Sequence, residues 1–407
     1  MVDSLLTPRH RSCGELRSRP PLTPSYNQAR LLKHKPSAAG MAVRRPSGRD
    51  DFEIGIICAL PLEYNAVSLI FDEFWDEDGD PYGRAAGDHN NYTTGRIGKY
   101  NVVLALLSHM GKTNATSAAH SLRLSYSGLR FVFLVGICGG VPRVGAEEIL
   151  LGDVVISKTI VQYGFGGRYP DEFLRKDTVE GNLSKPNKEV RNLLVTFETD
   201  RGMELLYRRT ASFLKELQEI AAKQRKSQDK YNYPGTAEDK LFESNYTHGI
   251  PRTCECIGYG RTSGRVCNES FNLSCEEVGC DKRHLVPRER LEMKRQLEPD
   301  NIDEAQEPAI YVGPIASGDT VMKSGEDRDR IARKEGVIAF EMEAAGVWEE
   351  LPCCIVVKGV CDYADSHKNK KWQNFAAATA SSVTKVLLER LIREDKPLAS
   401  AIRDGWL

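Results

Sequence analysis

No apolar run in the 407 residues approaches the ~20 that a membrane-spanning helix needs, so a helical span is not expected. Net charge is also nearly absent. Fifty-six Lys and Arg against 57 Asp and Glu leave −1, which gives no global pull toward nucleic acid or an anionic membrane. No array of internal repeats is visible. The first fifty residues lack the apolar stretch of a secretory signal. The glycine-rich turn at 134–141, LVGICGGV, is not the G-x-G-x-x-G of a dinucleotide site. The cysteines never form the C-x-x-C pairs of common zinc ribbons.

What is present is an ordinary soluble balance, 41% hydrophobic and 28% charged, in a chain long enough for one large core or two domains. Of the eleven cysteines, Cys58, Cys138, Cys353, Cys354 and Cys361 lie in or beside apolar runs. They read as reduced, buried thiols of an intracellular, cytoplasmic protein. Residues 1–50 carry ten Lys/Arg against three acidic residues, with several Pro and Ser, and read as a disordered basic tail. An Arg-rich transit peptide, or a true start at Met41, are the alternatives.

From residue 52 onward, apolar runs at 52–60, 100–108, 130–137, 153–157, 309–317, 336–340 and 353–360 alternate with helical patterns. The helical patterns cover 62–71, 113–126, 188–226, 327–335, 341–350 and 372–393. Several runs are apolar on both faces, as in parallel strands covered by helices. The expectation is an α/β three-layer sandwich around a central mixed, mostly parallel sheet, forming one domain over 51–400. Residues 227–307 break the rhythm. They are polar and weakly periodic, and read as a long, Cys-rich insertion with a ragged interior.

Ligands bind such sheets beyond the C-terminal strand ends, and five apolar runs end in unusual sequence. IGIICALPLEYNAV at 54–67 puts Glu63 in the first turn of a helix, where on its own it reads as a macrodipole partner. In LVGICGGV, Gly139 allows a tight turn or close approach to a ligand. IASGDTVM at 315–322 offers a turn and cap at Ser317–Asp319, then Val321 and Met322, which are either core or the wall of a flat-ligand pocket. FEMEAAG at 340–346 flanks Met342 with Glu341 and Glu343. Two residues apart, these carboxylates cannot share a helix face. One serves structure while the other points into a crevice. CDYAD at 361–365 ends the most apolar strand. Asp365 reads as a cap for the next helix, whereas Asp362 is a carboxylate at a buried strand end, costly unless paired or functional.

In this order, IGIICALPLE, GICGGV, GDVVIS (152–157), ASGD, FEMEAAG and CDYAD resemble the nucleoside phosphorylase superfamily. The branch most resembled contains methylthioadenosine/S-adenosylhomocysteine nucleosidases, in the form common as nucleosidase-like domains of fungal proteins. The resemblance covers about 52–225 and 308–393. It implies cleavage of a base–ribose bond through an oxocarbenium-like sugar, chemistry akin to glycoside hydrolysis. Asp362 would be the acid toward the purine, with its pKa raised by desolvation. Cys361 stands where a serine is common. Glu343 would hold the ribose hydroxyls and Met342 would pack on the sugar. Glu341 matches the motif with a less defined role. Val321, Met322 and Gly139 would line the substrate pocket. Glu63 would activate water. Phosphorylases of the superfamily place arginines near these positions. Here Leu134 and Ile137 occupy two of the corresponding places, which favours hydrolysis. Arg168, on a loop with Tyr163 and Phe165, is the remaining candidate phosphate contact.

The resemblance implies no metal and no cofactor, with phosphate a co-substrate only for a phosphorylase. It implies a small-molecule nucleoside partner, no nucleic acid or membrane partner, and a homo-oligomer. A phosphorylase and a non-catalytic nucleoside- or nucleotide-sensing domain are the alternatives. Lys368, Lys370 and Lys371 suit a nucleotide substrate, or else a solvated loop. The cluster Cys254, Cys256, Cys267, Cys275, Cys280 with His284 reads as an irregular insertion with free thiols. Zinc and redox chemistry are the alternatives.

Overall fold

A computed structural model describes residues 45–170, 173–176, 186–249 and 273–392. Most of the basic segment, residues 1–44, lies outside them, as do Cys254, Cys256 and Cys267.

The chain opens with β1 (Ile54–Cys58), α1 (Pro61–Ser68), β2 (Glu73–Phe74), β3 (Tyr92–Ile97), β4 (Tyr100–Leu106) and α2 (Lys112–Ser125). It continues through β5 (Phe131–Gly140), β6 (Arg143–Val144), β7 (Glu147–Glu148), β8 (Val154–Gln162), β9 (Gly166–Arg168) and β10 (Phe173–Arg175). Helices α3 (Lys188–Thr196) and α4 (Asp200–Ala222) follow, then α5 (Cys275–Val278), α6 (Glu289–Leu297) and α7 (Ile302–Ala305). The last part holds β11 (Ile310–Ser317), α8 (Gly325–Glu335), β12 (Ala339–Glu341), α9 (Ala344–Glu350), β13 (Cys354–Asp362) and α10 (Gln373–Arg390).

Among the described residues, nine strands form one mixed sheet in the order β12-β11-β8-β13-β5-β1-β4-β3-β2. β12 also pairs antiparallel with β5, so the five strands β5, β13, β8, β11 and β12 curl into a closed ring. Parallel pairing joins β1 to β4 and β5, and β13 to β5. These central strands are buried on both faces, which is why they read as unbroken apolar runs rather than alternating ones. β1 is buried at all five positions.

Alternation along β13 shows the layers. Gly359 faces Ala376 of α10, while its neighbour Lys358 points the other way, to Glu343 at the start of α9. Helix α10 also packs against α4 and α1, and α9 packs against α2. The result is the expected three-layer α/β arrangement. Helix α10 is buried from Phe375 to Leu388 because its AAATASS surface is small enough to sit directly on the sheet. A Cβ at Gly359 would lie 1.9 Å from the Ala376 carbonyl oxygen. Gly359→Ala is therefore expected to lower stability by about 1–3 kcal/mol or more, as overpacking does. Urea unfolding monitored by circular dichroism measures it, and an unchanged midpoint would contradict this close approach.

Three expectations need correction. The single helix over 188–226 is two helices, α3 and α4. Thr199 caps the second, accepting from the Gly202 amide at 3.1 Å. Gly202 is required at that corner because a Cβ would fall 1.9 Å from the Thr196 carbonyl oxygen. The helix placed at 341–350 begins at Ala344, and Glu341 ends β12. The strand β3, between β4 and the edge strand β2, was not anticipated.

Of the insertion, residues 227–249 and 273–307 are described. It docks through two arginines on residues of the sheet motifs. Arg288 is buried and bonds Asp239 at 2.7 Å and the Tyr363 hydroxyl. The Tyr363 hydroxyl itself donates to Asp239 at 2.7 Å. Arg290 forks onto both oxygens of Asp153, one at 2.7 Å. Planar bidentate pairing of this kind fixes orientation as well as charge.

Candidate active site

The C-terminal ends of β1, β5, β12 and β13 converge on one cavity of about 370 Å³, within the range of small-molecule sites. Glu63, Gly139, Val321, Met322, Glu341, Met342, Glu343 and Asp362 all line it. A larger cavity of about 1030 Å³ lies elsewhere, between Val141–Gly145, Leu241–Asn245 and α8. It contains none of these carboxylates.

Glu63 is placed by the turn from β1 into α1. One carboxylate oxygen accepts from the amides of Ala59 and Leu60 at 2.8 and 2.9 Å. The other accepts from the Ile137 amide at 2.8 Å. The carboxylate lies over Gly136, where a Cβ would sit 2.1 Å from it. Burial pushes its pKa above the ordinary value, against the pull of Lys358 and with the push of Glu343.

The two glutamates of FEMEAAG divide their work. Glu341 accepts from the backbone amides of Glu343 and Ala344, at 3.0 to 3.1 Å, and so closes the start of α9. Burial raises its carboxyl to about 6, with Lys358 pulling down and Glu343 pushing up. Glu343 turns the other way. It accepts from the Gly111 amide at 3.3 Å, and its second oxygen lies 3.3 Å from the Lys358 ammonium.

Lys358 is the residue that sequence reasoning missed. It is fully buried in β13, paired in register with Gly136 of β5. It lies 3.8 Å from Glu341 as well as 3.3 Å from Glu343. Burial opposes its charge, yet Glu343, Glu63 and Glu341 together hold it above the ordinary lysine value. One cation thus sits among three buried carboxylates. The available signal was a single charge inside the otherwise apolar run CIVVKGV.

Asp362 ends β13 opposite Gly139. A Cβ on Gly139 would come within 2.9 Å of an Asp362 oxygen and of the Ala364 Cβ. That glycine therefore makes room for the carboxylate. Asp362 accepts from the Ala364 amide at 2.9 Å and from the Cys361 thiol at 3.3 Å. The thiol thus occupies the place where a serine hydroxyl was the expected donor. Lys368 spans both Asp362 oxygens at 3.1 Å, so this lysine is not merely solvated. Lys371 instead pairs with Glu238 at 2.8 Å, and Lys370 lines the cavity.

The apolar wall holds Ile137, Met110, Phe340 and Met342, with Met322 and the exposed Val321 at one side. Leu134 is buried in the core. Asp319 accepts from the Lys112 amide at 2.7 Å, capping α2 rather than the helix that follows it. Tyr163 donates to the Thr320 carbonyl at 2.7 Å and packs on Phe340. Phe165 is exposed. The side chain of Arg168 lies outside the described residues. Among the described residues no arginine lines the cavity.

A nucleotide-binding leucine-rich repeat (NLR)-like protein of Hyaloscypha variabilis is 32% identical over 354 residues, 85% of this chain. The chain spans only 30% of that protein's length. Solved structures of similar form include a futalosine hydrolase mutant of Helicobacter pylori, with 16% identity and TM-score 0.46. They share 84% of this chain and 100% of that one. The 5′-methylthioadenosine/S-adenosylhomocysteine nucleosidase of S. pneumoniae has 18% identity and TM-score 0.43, over 84% and 100%. The phosphorylase superfamily profile matches residues 53–229, the stretch that supplies Glu63, Gly136 and Gly139. Over residues 53–229 the chain is thus similar to the phosphorylase superfamily, in line with the order of its strand-end motifs.

Proposed function

We propose that the cavity hydrolyses the N-glycosidic bond of a purine nucleoside or a derivative of one. The observation that carries this reading is the convergence of Glu63, Glu343 and Asp362 on one cavity with no guanidinium along its described wall. A phosphate co-substrate needs cationic or N–H partners in fixed geometry. Lys358 is already engaged with the glutamates, and Lys368 with Asp362.

Each group then has a task. Glu343 accepts hydrogen bonds from the ribose diol, with Lys358 fixing its second oxygen. Glu63 takes a proton from the attacking water. Its raised pKa brings it toward the operating pH, as an effective base requires. The C1′–N bond breaks as the new C1′–O bond forms, and the base leaves with its electron pair. Asp362 enters the step as the carboxylic acid, delivers the neutralising proton to the base, and is left as the carboxylate that Lys368 pairs with. The products are a free base and a free sugar. Met342 and Met322 supply flat apolar surface to the substrate. Lys370 at the cavity also suits a substrate carrying a 5′ phosphate.

A second reading is favoured by the NLR-like relative, of which this chain spans 30%. There the domain would sense a nucleoside or nucleotide for a longer protein without turning it over. Incubation with adenosine, inosine, methylthioadenosine and ATP, scored for free base, tests the proposal. Release of base from at least one supports it. Saturable binding of one of them, measured by calorimetry without any release, would leave the sensor.

A further inference from the structure

We propose that His248, Cys275, Cys280 and His367 form a tetrahedral zinc site that fastens the insertion to the loop following β13. Such a site is independent of whatever the cavity turns over. His248, Cys280 and His367 offer ligand atoms that all lie within 4.8 Å of one another. The His248 Nδ1 is 3.4 Å from the Cys280 sulfur and 3.7 Å from the Cys275 sulfur. In a tetrahedral site with usual Zn–S and Zn–N bonds, nitrogen and sulfur ligands sit ~3.6 Å apart. Two thiolates and two imidazoles are a zinc-type donor set.

The local fold is built to present these atoms together. Helix α5 is a single turn that starts at Cys275 and ends at Gly279, whose φ of 73° turns the chain back. The Cys280 amide then donates to the Cys275 carbonyl at 2.8 Å. This turn brings both sulfurs to the same imidazole. His248 reaches them from the other limb of the insertion, where its amide donates to the Ser366 hydroxyl at 2.9 Å.

An independent observation comes from His367. Its side chain is 1% exposed, stacked on Phe242 at 4.2 Å, and neither ring nitrogen makes a well-formed hydrogen bond among the described residues. A buried imidazole left so is costly. A metal at the Cys280 side would satisfy it. Asp365 lies 3.9 Å from the His367 Nδ1, beyond hydrogen-bond distance. The irregular sequence spacing hid this set, because its four members come from three separate segments. His284, the histidine nearest the cysteines in sequence, pairs instead with Glu243 at 2.8 Å.

The site adjoins the candidate acid. His367 is followed directly by Lys368, which bridges Asp362. Zinc would hold that loop against the insertion.

The test uses the full chain. Purified protein is expected to carry one zinc per chain by atomic emission. Cobalt(II) exchanged into it is expected to give the intense visible bands of a tetrahedral, thiolate-bound ion. Cys280→Ser and His367→Gln are expected to lose the metal, whereas joint replacement of Cys254, Cys256 and Cys267 by serine retains it. Failure of the native chain to take up zinc or cobalt, or a weak octahedral cobalt spectrum, overturns the assignment without any variant. So does metal retained by Cys280→Ser, or lost when only Cys254, Cys256 and Cys267 are replaced.

Discussion

Asp362→Asn is expected to lower base release by at least about 100-fold while the fold survives. Asparagine keeps the shape and the carbonyl that receives the Ala364 amide, but it cannot carry or relay a proton. The lost ion pair with Lys368 is partly exposed, 31% on the lysine side, so its removal costs little stability. The loss should fall on kcat more than on KM, because the proton moves only in the transition state. Lys368→Met separates the two members of the pair. It leaves Asp362 in place, so it should retain more activity than Asp362→Asn and alter the pH profile. Full activity in Asp362→Asn would remove this residue from the chemistry.

Lys358→Met is expected to lower stability by about 3–5 kcal/mol at neutral pH, the usual consequence of removing one partner from a buried ionic cluster. Methionine preserves most of the volume, so the effect reads charge rather than packing. The pH dependence follows from linkage. Glu341 is raised to about 6, so the folded form holds a proton that the unfolded form releases. Its contribution to stability therefore falls as pH rises from the ordinary carboxylate range to about 6. Lys358 has the opposite role. Raised above its ordinary value, it stabilises at all pH values below that value and is lost only above it. Without the ammonium, Glu63 and Glu341 retain protons to higher pH, because Lys358 is what pulls both down. The deficit of the variant should be largest near pH 8 and shrink toward pH 5, as read from urea midpoints at each pH. A deficit that is small or independent of pH would contradict the cluster.

Much of this was legible because it is written locally. Glu63, Glu343 and Asp362 each sit where an apolar run ends, and a parallel sheet delivers such ends to one crevice. Lys358 was not legible by the same rule, because its partners arrive from α1, β12 and the start of α9 through the fold. Arg288, Arg290 and Asp239 are likewise tertiary in origin. Their segments look like solvated charge until they meet Tyr363 and Asp153. The strand β3 is half-polar and weakly patterned, and the corner between α3 and α4 depends on one glycine inside a strongly helical stretch. Tyr163 supports the turn carrying Thr320, and Phe165 points to solvent.

The central claim is that water, not phosphate, attacks the sugar in this cavity. The most direct measurement is the identity of the sugar released from a purine nucleoside, with and without added phosphate. The account predicts free base and free sugar at the same rate in both conditions. Base release that requires phosphate and yields a sugar 1-phosphate would contradict it.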